Sequence, residues 1–308
     1  MRTLLVGAGE VGSKHLAALA ATPGFDVAAV ADPAQRRSFL AVPLFAGHHA
    51  ALRTIRPELV IVATPPGNAL DIARDAARTG ATVLVEKPVT TRPADLAHRA
   101  GDERIHVAFQ PHFAPGLAEL LAHPPGTVRR AEVLLTCRRD PHYYRGWRQS
   151  AATAGGVLHQ QAIHGLALAL RLLGHHQISS CRASVARWRQ LAETEDRVQA
   201  DLIFHGGQTL TIAARVDAEG PARHEITLHD AVGHLWHVRG RNLEAGLGPT
   251  TEAPTHQALR QQMYQALRAV HHRQPAHPCL FPLPALRHPL EVIEHVYRHA
   301  HHRSAPAA

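Results

Sequence analysis

The sequence predicts an α/β protein: an N-terminal doubly wound parallel sheet, followed by an α+β domain built on an open, mostly antiparallel sheet. Three observations carry this. Short apolar runs without alternation, separated by helical patterns, fill the first third of the chain. Beyond residue 130 the apolar runs alternate with polar residues. A chain of 308 residues has the length of two ordinary domains.

Taken in order, the spacing predicts strands over 3–6, 25–30, 59–63, 82–85 and 105–109, with helices over 10–21 and 69–78. These form a first domain over residues 1–114. The second domain, 115–302, is expected to hold strands over 131–137, 180–186, 198–204, 209–216, 225–228 and 234–238. A helix over 157–173 stands in front of that sheet, stopped by Gly174. Helices over 257–272 and 289–299 close the chain, and 303–308 reads as a frayed tail.

Composition narrows the function. Apolar residues make up 45% and charged residues 19%, which is globular. No stretch reaches the roughly 18 uncharged apolar residues of a membrane span, and charges interrupt the N-terminus too early for a secretory signal. Cys137, Cys181 and Cys279 form no CxxC pair and fit a reducing compartment, so a cytoplasmic protein is expected. The net charge is +8, but the arginines are dispersed, and neither a clustered basic face nor a reading motif for nucleic acid is visible. The histidine doublets at 48–49, 175–176, 271–272 and 301–302 sit in no HExxH frame, and no metal is expected. Among 33 basic residues only Lys14 and Lys87 are lysines. A lysine kept against such a bias is conspicuous.

Gly7-x-Gly9-x-x-Gly12 lies between the first strand and first helix, and Asp32 ends the second strand twenty positions on. That context is a dinucleotide fingerprint and makes the first domain a Rossmann domain. Gly7, Gly9 and Gly12 allow a tight turn and close approach. The helix start at Glu10 and Val11 offers free N–H groups to a pyrophosphate, and Asp32 suits the adenosine ribose hydroxyls. Asp32 favours NAD; Arg36 and Arg37 just beyond leave NADP open. Thr64 and Pro65 end the third strand on the same edge of the sheet. Glu86-Lys87-Pro88 closes the strand over 82–85, where ligands of open α/β sheets bind. A partly buried lysine there suits proton transfer.

With Gly7-Ala8-Gly9-x-x-Gly12-x-x-His15, Ala63-Thr64-Pro65-Pro66, Glu86-Lys87-Pro88 and Gly155-Gly156-Val157-Leu158 leading to Ile163-His164, the sequence resembles the Gfo/Idh/MocA family of nicotinamide-dependent oxidoreductases. The resemblance implies a hydride moved between NAD(P) and a sugar or cyclitol carbon, with Lys87 and His164 handling the proton. It also implies a homo-oligomer associated through the outer face of the second sheet. The family usually has Asp four residues before the histidine and again three after; here these are Gln160 and Ala167. Gln160 can orient a hydroxyl but cannot titrate. Gln160 through His164, with Tyr143-Tyr144 and Trp147-Arg148 upstream, is similar to UDP-N-acetylglucosaminuronate 3-dehydrogenase-like members. Tyr144, Trp147, Arg148, Gln160 and His164 are then the expected substrate contacts, Arg148 suiting a carboxylate or phosphate. The expected function is an NAD(P)-dependent dehydrogenase or reductase acting on a sugar-like or nucleotide-sugar substrate. Reduction of a C=N or C=C bond, and a non-catalytic NAD(P)-binding regulator, are the alternatives.

Overall fold

A computed structural model of the full chain describes residues 1–34, 41–123, 127–187, 193–245 and 253–303. Arg36 and Arg37, and the tail from residue 304, lie outside the described residues. The chain runs through β1 (Arg2–Val6), α1 (Glu10–Ala20), β2 (Asp26–Ala31), β3 (Leu44–Phe45), α2 (His48–Ile55), β4 (Leu59–Val62), α3 (Pro66–Arg78), β5 (Thr82–Glu86) and β6 (Ile105–Ala108). Next come α4 (Leu117–Leu121), β7 (Val128–Thr136) and a π-helical turn (Leu158–Ala162) leading into α5 (Ile163–Leu173). There follow β8 (Ile178–Ala186), β9 (Arg197–Phe204), β10 (Thr209–Arg215), β11 (Arg223–Asp230), β12 (Leu235–Arg239) and β13 (Asn242–Ala245). The last elements are α6 (His256–His271), β14 (Phe281–Pro282), α7 (Arg287–His299) and β15 (Ala300–Arg303).

Two compact units divide the chain. The first comprises Met1–Thr90, Ala94–Phe113 and Thr255–Leu286; the second comprises Thr91–Pro93, Ala114–Pro254 and Arg287–Ala308.

In the first unit a seven-stranded sheet has the order β14-β6-β5-β4-β1-β2-β3, parallel except for the edge strand β14. β4 shows why its sequence does not alternate: Leu59, Val60, Ile61 and Val62 are all 0% exposed, since both faces are covered. The sequence reading placed the segment over 255–286 in the second domain, whereas here it packs with the first. Tyr264 of α6 packs against Phe25 at a ring separation of 5.8 Å, and Phe281 of β14 pairs antiparallel with Val107 of β6.

In the second unit an eight-stranded sheet has the order β13-β12-β11-β7-β10-β9-β8-β15. Its pairs are antiparallel except β7 with β10 and β8 with β15. β9 alternates as half-exposed sheet should: Val198, Ala200, Leu202 and Phe204 are buried, while Gln199, Asp201 and Ile203 are exposed. α5 lies on the buried face. Gly165 lets it approach, since an added Cβ would stand 3.0 Å from Val133 and 3.3 Å from Ile226. Arg303, expected in a frayed tail, is the last residue of β15 and pairs with Ala186.

Candidate active site

The glycine loop is explained by what surrounds it. Gly7 has φ +94, and a Cβ there would meet the Ala63 carbonyl oxygen at 2.7 Å. A Cβ on Gly12 would stand 2.0 Å from the Gly7 oxygen, so α1 can rest on the turn only with glycine at that position. Gly9 differs: nothing lies within 4 Å of an added Cβ. It begins α1 with no side-chain cap, so the N–H groups of Glu10, Val11 and Gly12 have no intrahelical acceptor. A positive helix end thus opens onto free space, which fits a pyrophosphate. At the end of β4, the buried Thr64 hydroxyl oxygen has no hydrogen-bond partner, a second mark of a group that a bound dinucleotide completes. Pro65 begins the exposed turn into α3.

Asp32 ends β2 at 1% exposure. Its Oδ2 accepts from the Ala8 N–H (2.7 Å) and its Oδ1 from the Ala34 N–H (2.8 Å). The carboxylate therefore ties the glycine loop to the second strand.

At the end of β5, Glu86 Oε1 lies 2.8 Å from His15 Nε2, and His15 Nδ1 lies 2.7 Å from the Tyr264 hydroxyl. Burial pushes the Glu86 carboxyl up, but the hydrogen bond and charge of His15, with Lys87 and Arg260 nearby, outweigh it and leave the group below its ordinary value. Lys87 follows, partly buried, and its bond to Pro88 is cis. Because β5, β4 and β1 are parallel neighbours, Lys87, Thr64 and the glycine loop share one edge of the sheet. Sequence reasoning counted His15 among the motif residues without a role and missed Tyr264 and Arg260, which come from α6.

In the second unit, Gly155 and Gly156 precede the π-helical turn. A Cβ on Gly155 would stand 2.4 Å from the Arg148 carbonyl oxygen. Gly156 has φ +92, and a Cβ there would stand 2.3 Å from Glu195 Oε2. The pair of glycines thus admits a carboxylate to the head of the helix. Glu195, 5% exposed, accepts through Oε1 from the Tyr297 hydroxyl (2.8 Å) and the Leu158 N–H (3.2 Å). Burial pushes its carboxyl up to about 7, against the pull of those hydrogen bonds. His159, inside the turn, faces the Tyr297 ring at 5.7 Å, and burial holds it down to about 4, hence neutral. Sequence reasoning missed Glu195 entirely.

The expected substrate residues divide. His164 is partly buried on α5, just past the turn. Gln160 is buried, and its amide nitrogen donates to the Ala154 carbonyl, closing the glycine segment. Tyr144 is also in the core, and its neighbour Tyr143 meets Gln161 and Arg148. The Arg148 guanidinium lies 4.5 Å from the Tyr143 ring centre and 4.4 Å from that of Trp147, and Arg139 lies 5.2 Å from Tyr143. Arg139 Nη2 donates to Gln161 Oε1 (2.9 Å), whose amide donates to the Tyr143 hydroxyl (3.0 Å). Two guanidinium groups on one aromatic ring make a site suited to an anion.

The oxidoreductase-family model described as an NAD-binding Rossmann fold matches residues 1–101, and that of the GFO/IDH/MocA C-terminal domain matches residues 123–236. The chain belongs to the GFO/IDH/MocA family. Its first unit is therefore an NAD-binding Rossmann domain. An uncharacterized oxidoreductase of Synechocystis is 27% identical over 206 residues, 62% of this chain and 54% of that protein. The rhizopine catabolism protein MocA of Rhizobium meliloti is 34% identical over 126 residues, 38% of this chain and 39% of that one. The matched stretches thus span about half or less of these curated relatives. Among solved structures, the WlbA dehydrogenase of Chromobacterium violaceum in complex with NADH and UDP-GlcNAcA superposes with a TM-score of 0.78 at 21% identity, over 97% of this chain and 93% of that one. GenD2 of gentamicin A biosynthesis in complex with NAD gives 0.77 at 22% identity, over 97% and 93%. No helix among the described residues is long and apolar enough to cross a membrane.

Proposed function

We propose that the protein is an NAD(P)-dependent dehydrogenase or reductase that moves a hydride to or from a carbinol or ketone carbon of a sugar-like or nucleotide-sugar substrate. The observation that carries this reading is the shared edge of the first sheet, where an open helix start, an orphaned Thr64 hydroxyl and Glu86-Lys87 end adjacent strands. Gly7, Gly9, Glu10, Val11, Gly12 and Thr64 hold the dinucleotide, and Asp32 orders the loop and receives the ribose, which favours NAD. When bound, the nicotinamide supplies the hydride acceptor or donor. Lys87 takes or returns the proton at the substrate oxygen and His164 shares that proton, as the family resemblance implies, while Gln160 braces the glycine segment that leads into α5. Arg148 and Arg139, stacked on Tyr143, receive an anionic part of the substrate, in keeping with the nucleotide-sugar acid named for the WlbA structure. The chain works in the cytoplasm as a homo-oligomer joined through the outer face of the second sheet.

Replacing Lys87 with Met tests the assignment. Turnover on nucleotide-sugar acids should fall at least about a hundredfold while NAD affinity is kept; near-normal kcat would end it. One observation favours C=N reduction as a second reading: the position before His164 that could titrate in other family members is an amide already engaged with Ala154. NADH oxidation with cyclic imines and none with sugars would choose that reading.

A further inference from the structure

Three side chains from distant parts of the first unit, His15 and Tyr264 buried and Glu86 partly so, meet at the strand end that carries Lys87. Glu86 is an acceptor when ionised, so His15 Nε2 carries the proton that bridges the 2.8 Å gap between them. His15 Nδ1 in turn shares a hydrogen bond with the Tyr264 hydroxyl across 2.7 Å. The chain links Tyr264, His15 and Glu86, and ends on the carboxylate that precedes Lys87. His15 is 0% exposed, so water cannot replace a lost partner. The charged and titratable groups around Glu86 are His15 from α1, Lys87 at the end of β5, and Arg260 and Tyr264 from α6. Arg260, 9% exposed, adds positive charge that further lowers the proton affinity of Glu86.

We propose that the buried chain Tyr264–His15–Glu86 is a positioning device: it fixes an ionised carboxylate beside Lys87 and so sets how readily that lysine releases its proton. This goes one step beyond Lys87's assignment as proton carrier and rests on it for its catalytic meaning. A carboxylate beside an ammonium favours the charged form. A carboxylate that swung away would leave the amine neutral, and reactive, over a wider pH range.

The scarcity of lysine makes the test direct. The full-length protein is acylated with the N-hydroxysuccinimide ester of acetic acid near neutral pH, and the Lys87 and Lys14 peptides are quantified by mass spectrometry, Lys14 serving as the internal reference. Only a neutral amine acylates, so in Glu86→Gln the Lys87 rate should rise roughly three- to tenfold relative to Lys14. Tyr264→Phe, which removes one hydroxyl, should raise it less but in the same sense. In both variants the difference should narrow as pH rises from about 7 to about 10, where the amine is increasingly neutral in either protein. Unchanged ratios in Glu86→Gln or Tyr264→Phe overturn the proposal, as does a difference that persists at the alkaline end, which reports loosened packing. Turnover by Lys87→Met decides the catalytic reading separately, since acylation involves no substrate.

Discussion

Glu86 and Glu195 are both buried carboxyl groups at the head of a functional segment, and their proton affinities move in opposite directions. Burial pushes each upward. Glu86 faces His15, Lys87 and Arg260 and ends below its ordinary value. Glu195 receives hydrogen bonds from the Tyr297 hydroxyl and from backbone N–H groups, and stays up at about 7. At Glu195 the hydrogen bonds do not offset desolvation; at Glu86 the His15 hydrogen bond and the nearby positive charges together do. The first unit therefore keeps a fixed negative charge beside its lysine, whereas the second keeps a carboxyl that changes state near neutrality.

The sharpest way to break this comparison is Gly156→Ala. Its methyl would stand 2.3 Å from Glu195 Oε2 at a residue with φ +92, so the carboxyl must leave the helix head. We expect a loss of roughly 3 kcal/mol in denaturant unfolding, from strain and overpacking together. Next in size is pH dependence. Glu195 rises from 4.5 when unfolded to about 7 when folded, so its contribution to stability is fully present below pH 4.5 and is lost as pH rises to 7. The difference is about 3 kcal/mol, and Glu195→Gln should remove that slope from Tm measured between pH 5 and pH 8. Glu86 has the opposite sign. Its folded value is depressed, so its contribution is present above pH 4.5 and is lost as pH falls through the folded value; Glu86→Gln should flatten the acid limb. Tyr264→Phe should cost about 1 kcal/mol, the net worth of one buried hydrogen bond. Gly9→Ala should change stability by less than about 0.5 kcal/mol, because nothing lies within 4 Å of the new methyl. It should nevertheless weaken NAD binding measured by calorimetry, since the methyl occupies the space in front of α1.

Locally encoded features were legible in the sequence. β4 announced itself because both its faces are buried, and Gly7, Gly9 and Gly12 because a βα turn of that shape leaves few alternatives. Gly155-Gly156 was legible as a motif but not as a cause, since the carboxylate that needs the space comes from Glu195, far along the chain. His15 and Tyr264 are 249 residues apart, and no periodicity links them. Tyr144 and Tyr143 were hard to rank for a different reason. Both suit an aromatic contact, and only packing decides that Tyr144 enters the core while Tyr143 meets Arg139, Arg148 and Gln161. The π-helical turn leaves no residue signature, because it differs from an α-helix only by a few i→i+5 bonds in place of i→i+4 ones.

The return of residues 255–286 to the first unit has a consequence for biosynthesis. Until β14 emerges, β6 is a bare sheet margin, and until α6 emerges, His15 Nδ1 lacks its hydroxyl partner. The NAD-binding unit starts at the N-terminus, yet translation must reach Leu286 of a 308-residue chain before its last strand and helix exist. The unit that begins first is completed only after β7 to β13 of the second have been made, and a nascent chain stalled between β7 and β13 presents an open β6 edge to its neighbours on the polysome.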